Sequence, residues 1–165
     1  MNIRLLGTLE LVDGDGNQID IGGTQPRIIL AMLVAARGKL VATDALIDTV
    51  WDEEPPHSAA GTLQTYVSRL RRALARVGGS IIHETGGYRL TVDWNTIDVH
   101  RFEVLGDRAR AALDGGDASA ARELLIEAER LCRGPALVDV RDRARLAGYA
   151  RRFDDRRLAA LEDRI

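Results

Sequence analysis

The sequence predicts an α+β domain, with a small N-terminal sheet, three helices and a closing hairpin, followed by an all-α region. Three observations carry this prediction. Short strand-like runs split by turn residues fill positions 2–21. Three helically spaced apolar segments lie between 24 and 77 and lead into a glycine-tipped alternating pair at 80–92. From about residue 101 the apolar spacing is helical throughout.

Residues 2–12 (NIRLLGTLELV) read as two strand-like runs broken at Gly7. The cluster 13–17 (DGDGN) is a turn, and QIDI at 18–21 alternates like another strand. Gly22 and Gly23 punctuate. Thr24 is expected to N-cap a helix reaching about Arg37, with Pro26 in its first turn and Gly38 as its stop. Ile28, Ile29, Leu30, Met32, Leu33 and Ala36 make that helix apolar nearly all round, as a central core helix is. Thr43 is expected to cap a second helix with Asp44 in its first turn and Leu46, Ile47, Val50 and Trp51 inward; DEEPP at 52–56 ends it. Ser58 is expected to cap a third helix that runs to about Val77 and stops at Gly78 and Gly79. Residues 80–92 then form a hairpin about Glu84-Thr85-Gly86-Gly87. Residues 93–103 read as a connector. Helices follow over 101–113, from Asp117 or Ser119 to about Cys132, and over 143–165, the last carrying Leu146, Tyr149, Phe153, Leu158, Leu161 and Ile165 as an apolar stripe that is left exposed, covers the winged helix or pairs with another copy.

Composition narrows the function classes. The one cysteine, Cys132, excludes an intrachain disulfide and a cysteine-cluster zinc site, and it fits a reducing cytoplasm. Its place on an apolar helix face makes it a core residue. The N-terminus is polar and alternating, unlike a signal peptide. The longest apolar run, 28–36, is far shorter than the ~20 residues of a membrane span, so no membrane partner is expected. His57, His83 and His100 lack metal spacing, and neither a phosphate-loop nor a hydrolase motif occurs. No cofactor is expected, and the chain is not read as an enzyme. The net charge of −2 disfavours nucleic acid, but its distribution does not. Residues 57–92 hold five arginines against Glu84 alone, a local +4.

Most of that charge lies in the third helix, GTLQTYVSRLRRAL at 61–74. Wound at ~100° per residue, it gathers Leu63, Val67, Leu70 and Leu74 into a buried stripe. Thr62, Thr65, Arg69, Arg72 and Arg76 face away; Gln64, Ser68 and Arg71 line one flank, and Tyr66 the other. A charged stripe is ordinarily a solvated face. This one holds no acid between Gly61 and Gly79, whereas a stability-built surface helix alternates signs at i,i+4. Small hydroxyls and Gln allow close approach to DNA, and Arg suits guanine edges and phosphate. Three helices followed at once by a glycine-tipped hairpin is the order of a winged helix. In that fold the third helix enters the major groove and the hairpin lies along the backbone or minor groove.

The stretches IRLLGTLEL (3–11), GGTQPRIILAMLV (22–34), ALIDTVWDEEPP (45–56), GGYRL (86–90), DVHRFE (98–103), RGPAL (133–137) and LAALEDRI (158–165) follow one family order. With the third helix among them, the chain resembles the Streptomyces antibiotic regulatory protein family. Those proteins join an OmpR-type winged helix to a tetratricopeptide-like bacterial transcriptional activation domain. The resemblance implies a winged-helix domain at 1–93 and the first part of an incomplete helical domain at 94–165. It implies base contacts by Gln64, Thr65 and Arg69, and backbone contacts by Thr62, Tyr66, Ser68, Arg71 and Arg72. The wing would be Thr85, Gly86 and Arg89, and the loop of Asp52, Glu53 and Glu54 would meet RNA polymerase or its sigma subunit. Tyr66 is equally readable as a core residue, and the acidic loop as a solvated run. The implied function is a cytoplasmic, nucleoid-associated activator that binds direct repeats in double-stranded DNA, as a homodimer on the DNA, near promoters of secondary-metabolism genes. Relatives carry arginine near Glu84 and tryptophan at Cys132, and they continue beyond 165, so a truncated chain or a naturally short member is expected. The competing reading is a protein-interaction module whose winged helix no longer reads DNA.

Overall fold

The computed structural model describes residues 2–52 and 54–163. Strands β1 (Ile3–Arg4), β2 (Glu10–Val12) and β3 (Gln18–Ile19) form an antiparallel sheet in that order, with Ile3 opposite Leu11 and Leu11 opposite Ile19. Helix α1 (Thr24–Ala35) follows, and residues 28–34 are buried without interruption, as its all-round apolar sequence predicts. Strand β4 (Val41–Ala42) leads directly into α2 (Thr43–Trp51), and α3 spans Ala59–Ala75. The hairpin is β5 (Ser80–Glu84) and β6 (Gly87–Thr91), joined by Thr85 and Gly86. A 3-10 turn at Trp94–Thr96 precedes α4 (Asp98–Asp114), α5 (Ala118–Arg130) and α6 (Ala144–Asp163).

Three expectations at helix starts are corrected. Thr24 and Thr43 are not caps: Gly23 and Ala42 occupy those positions, without a side-chain bond. The N–H of Thr43 instead donates to the Gly86 carbonyl at 2.9 Å, so the turn of the hairpin satisfies the start of α2. Ser58 holds the cap position of α3, but its hydroxyl makes no cap bond. Asp117 does cap α5, accepting from the N–H of Ala120 at 2.9 Å. The connector is shorter than expected, because α4 begins at Asp98.

Strand β4 has no counterpart in the sequence reading. It places β6 at the centre of a second sheet, in the order β4-β6-β5. The pairing depends on Gly87, where a Cβ would fall 2.1 Å from the Val41 carbonyl oxygen.

One core runs through both halves. Leu5, Leu30 and Leu63 share it with Phe102, Leu137 and Phe153. A smaller cluster of Ala109, Ala121 and Leu125 lies between α4 and α5. The halves are joined at residues 5–9, between β1 and β2, which form no strand because the helical half takes their peptide groups. Asp98, 1% exposed, accepts from the N–H groups of Leu5 (2.8 Å) and Leu6 (2.9 Å). The N–H groups of Arg133 and Leu137 donate to the carbonyls of Leu6 and Leu5, each at 2.8 Å. Asp139 accepts from the N–H of Leu9 at 3.0 Å. Gly7 lies at φ +137, where a Cβ would stand 3.1 Å from that of Arg133. The break seen at Gly7 is thus the point where RGPAL docks.

Candidate nucleic-acid interface

Helix α3 buries Ala59, Leu63, Val67, Leu70, Ala73 and Leu74. That is the predicted stripe with Ala59 and Ala73 added. Gln64, Thr65, Ser68, Arg69, Arg71, Arg72 and Arg76 are exposed, and Thr62 and Tyr66 are half-buried. The outward face holds no carboxylate of its own, so nothing on the helix offsets its arginines.

Individual side chains are committed to different degrees. Arg72 is exposed and has no carboxylate partner among the described residues. Arg76 lies 3.6 Å from Asp13, a long surface pair worth little. Arg71 donates from Nε to the Ile81 carbonyl at 2.7 Å, which ties α3 to the first strand of the hairpin. Arg69 lies across Gly22, where a Cβ would come within 2.8 Å of its Nη1. Its guanidinium therefore rests on the loop before α1. The Thr65 hydroxyl donates to the Gly61 carbonyl at 3.2 Å, leaving its oxygen as an outward acceptor. The Tyr66 ring stacks on Trp51 with centroids 6.4 Å apart and 24° between planes, and both rings pack on the core.

At the wing, Thr85 and Gly86 are exposed, and Gly86 at φ +87 makes the turn. Arg89 is paired with Glu84 through Nε at 2.9 Å and Nη2 at 2.5 Å. Glu84 thus neutralises the one arginine of the hairpin. In the loop after α2, Asp52 adopts φ +47 and ion-pairs with Arg143, ahead of α6. Glu54 is exposed. Glu53 lies outside the described residues.

The sequence reading missed Asp98, Arg143 and the Arg69 resting place. Asp98 alone left a local trace, an acid in the first turn of a helix. Burial pushes its carboxyl up to about 6, against the opposing pull of the Leu6 and Leu5 N–H groups, Arg133 and the Val99 N–H. Burial and Glu129 push the Cys132 thiol up to about 11, which suits a packing residue rather than a reactive one. Among the described residues no three His, Cys, Asp or Glu side chains gather as metal ligands, and no helix is long and apolar enough to cross a membrane.

Residues 16–90 match the family described as transcriptional regulatory protein, C terminal, and residues 97–165 match the bacterial transcriptional activator domain. Regulatory protein DnrI of Streptomyces peucetius is 33% identical over 100% of this chain and 64% of its own length. Transcriptional regulator RedD of Streptomyces coelicolor is 35% identical over 100% of this chain and 48% of its own length. The chain thus spans roughly half to two thirds of those relatives. A solved structure of Mycobacterium tuberculosis EmbR, in complex with a low affinity phosphopeptide, superposes with a TM-score of 0.89 at 34% identity. That likeness covers 96% of this chain and 43% of the EmbR chain.

Proposed function

The chain belongs to the Streptomyces antibiotic regulatory protein family, transcriptional regulators rather than enzymes, and from that premise we propose that it activates transcription by reading direct repeats in duplex DNA. The carboxylate-free outer face of α3, held to the core by Leu63, Val67, Leu70 and Leu74, is the observation that carries this reading. Gln64, Thr65 and Arg69 read base edges, and Arg69 must first swing off Gly22. Thr62, Tyr66, Ser68, Arg71 and Arg72 hold phosphates. Arg71 does so through its Nη groups, since Nε serves the Ile81 carbonyl. Arg89 is masked by Glu84, so Thr85 and Gly86 present the wing through backbone and hydroxyl. The winged helix spans 1–93 and the helical part 94–165. The loop 52–54 meets RNA polymerase or its sigma subunit, and two copies sit on the repeat. The regulated genes belong to secondary metabolism.

Selection of bound sequences from a random duplex pool tests this. The expected outcome is a motif repeated at about 10–11 bp, one copy per groove turn. An unstructured pool of survivors overturns it. The Glu84–Arg89 pair favours a second reading, a protein-interaction module that does not read DNA. Absence of binding to random duplex even at low salt would select that reading.

A further inference from the structure

Between the two halves lies a cavity of about 180 Å³ that neither half forms alone. Val34 of α1 and Arg37 just beyond it form one side. Trp94 of the 3-10 turn, Val99, His100 and Glu103 of α4, and Tyr149 of α6 form the rest. Arg37 and Glu103 also border an adjoining polar recess of about 330 Å³, where Arg152 and Arg156 of α6 stand opposite Asp107.

The charges in the recess do not balance. Glu103, its side chain only 12% exposed, is bonded by both Arg37 and Arg156, so its two oxygens are taken. Arg152 makes no ion pair among the described residues; its guanidinium stands 5.5 Å from the centre of the Tyr149 ring. Three guanidinium groups thus meet two carboxylates, in a chain whose net charge is −2. A cation beside an open recess favours an anion, and a guanidinium favours a planar, bidentate one. The neighbouring cavity is more apolar. Indole, phenol and two valines make up most of its wall, with Arg37, His100 and Glu103 on its polar side, and a void of roughly 150 Å³ is enough to hold benzene.

We propose that this seam binds a small aromatic acid, with one six-membered ring in the cavity and its carboxylate against Arg152. An inorganic anion would leave the cavity unfilled, and a neutral ring would leave Arg152 without a partner. Because α1 also carries α2 and α3, an occupied seam would bear on the support of the recognition helix. That consequence rests on the DNA-binding reading; the binding itself does not.

The chain has two tryptophans, so Trp51→Phe leaves Trp94, on the cavity wall, as the reporter. Benzoate is titrated into this variant by fluorescence and into the unsubstituted chain by calorimetry. The expected result is saturable binding in both, weakened at least about tenfold by Arg152→Met, with acetate and benzamide giving no saturable change. No saturable signal up to about 10 mM benzoate overturns the proposal. So does equal affinity in Arg152→Met, or equal affinity for benzamide. Arg152 is exposed, and the comparison with benzamide needs no variant, so a folding defect cannot imitate the result. The readout is independent of DNA.

Discussion

Two adjacent glycines at the hairpin turn should respond very differently to alanine. At Gly87 the added methyl would lie 2.1 Å from the Val41 carbonyl oxygen, 2.8 Å from its carbon and 3.1 Å from the Ala42 Cα. All three atoms are backbone, so no rotamer change relieves the overlap and β4 must leave β6. The pairs Val41–Tyr88 and Ala42–Gly87 are then lost, together with the 2.9 Å bond from the Thr43 N–H to the Gly86 carbonyl. Two to three backbone bonds at about 0.5–1.5 kcal/mol each, with partial exposure of the Val41 side chain, give a loss of about 2–5 kcal/mol. At Gly86 no atom lies within 4 Å of the added methyl, and only the left-handed φ of +87 opposes it, at about 1–2 kcal/mol. Urea unfolding of Gly87→Ala and Gly86→Ala, followed by circular dichroism, measures both. If Gly87→Ala were no more destabilising than Gly86→Ala, the close approach of β4 to β6 would not be what holds the second sheet.

Other outcomes follow from the same geometry. Arg72→Ala should weaken specific and random duplexes alike and lower the salt slope by about 1, whereas Arg69→Ala should cost about 1–3 kcal/mol on the selected site and relax its base preference; equal losses on both duplexes for Arg69→Ala would remove it from base reading. Glu84→Gln should release Arg89, raising low-salt affinity and steepening the salt dependence; an unchanged slope in a salt titration would place the wing away from DNA. Asp98 links stability to pH. Its folded value of about 6 exceeds the unfolded value of about 3.9, so between these the folded chain keeps a proton that the unfolded chain has lost. Its contribution is therefore full below about pH 4 and falls as pH rises through 6, by up to roughly 3 kcal/mol. Unfolding from pH 4 to 7 should show that slope and Asp98→Asn should flatten it; a slope of opposite sign would mean that the N–H bonds to the carboxylate outweigh its burial.

Much of the fold was legible because it is written locally. The all-round apolar run of α1, the stripe on α3 and the glycines around the hairpin need no knowledge of distant residues. Strand β4 was not legible, because two residues carry no alternation. What makes Val41 and Ala42 a strand is the missing Cβ at Gly87, more than forty positions later. The helix caps misled for a related reason. Thr43 has the chemistry of a cap, but the Gly86 carbonyl satisfies its N–H first. The exposure of Gln64, Thr65, Ser68, Arg69, Arg71 and Arg72 was readable from periodicity. The states of the arginines were not: Arg69 on Gly22, Arg71 on the Ile81 carbonyl and Arg89 on Glu84 are tertiary or cross-strand pairings.

By itself the sequence determined the types of the longer elements, the inward faces of α1, α2 and α3 and the concentration of positive charge on one of them, since periodicity and charge order are properties of neighbours along the chain. Only the tertiary structure decided that the two halves share one core, and that Asp98 grips backbone amides 92 and 93 positions away. Only it decided which arginines are free to meet an anion. Those outcomes depend on which polar groups reach each other once the chain has closed, and an arginine looks the same in sequence whether a carboxylate waits for it or not.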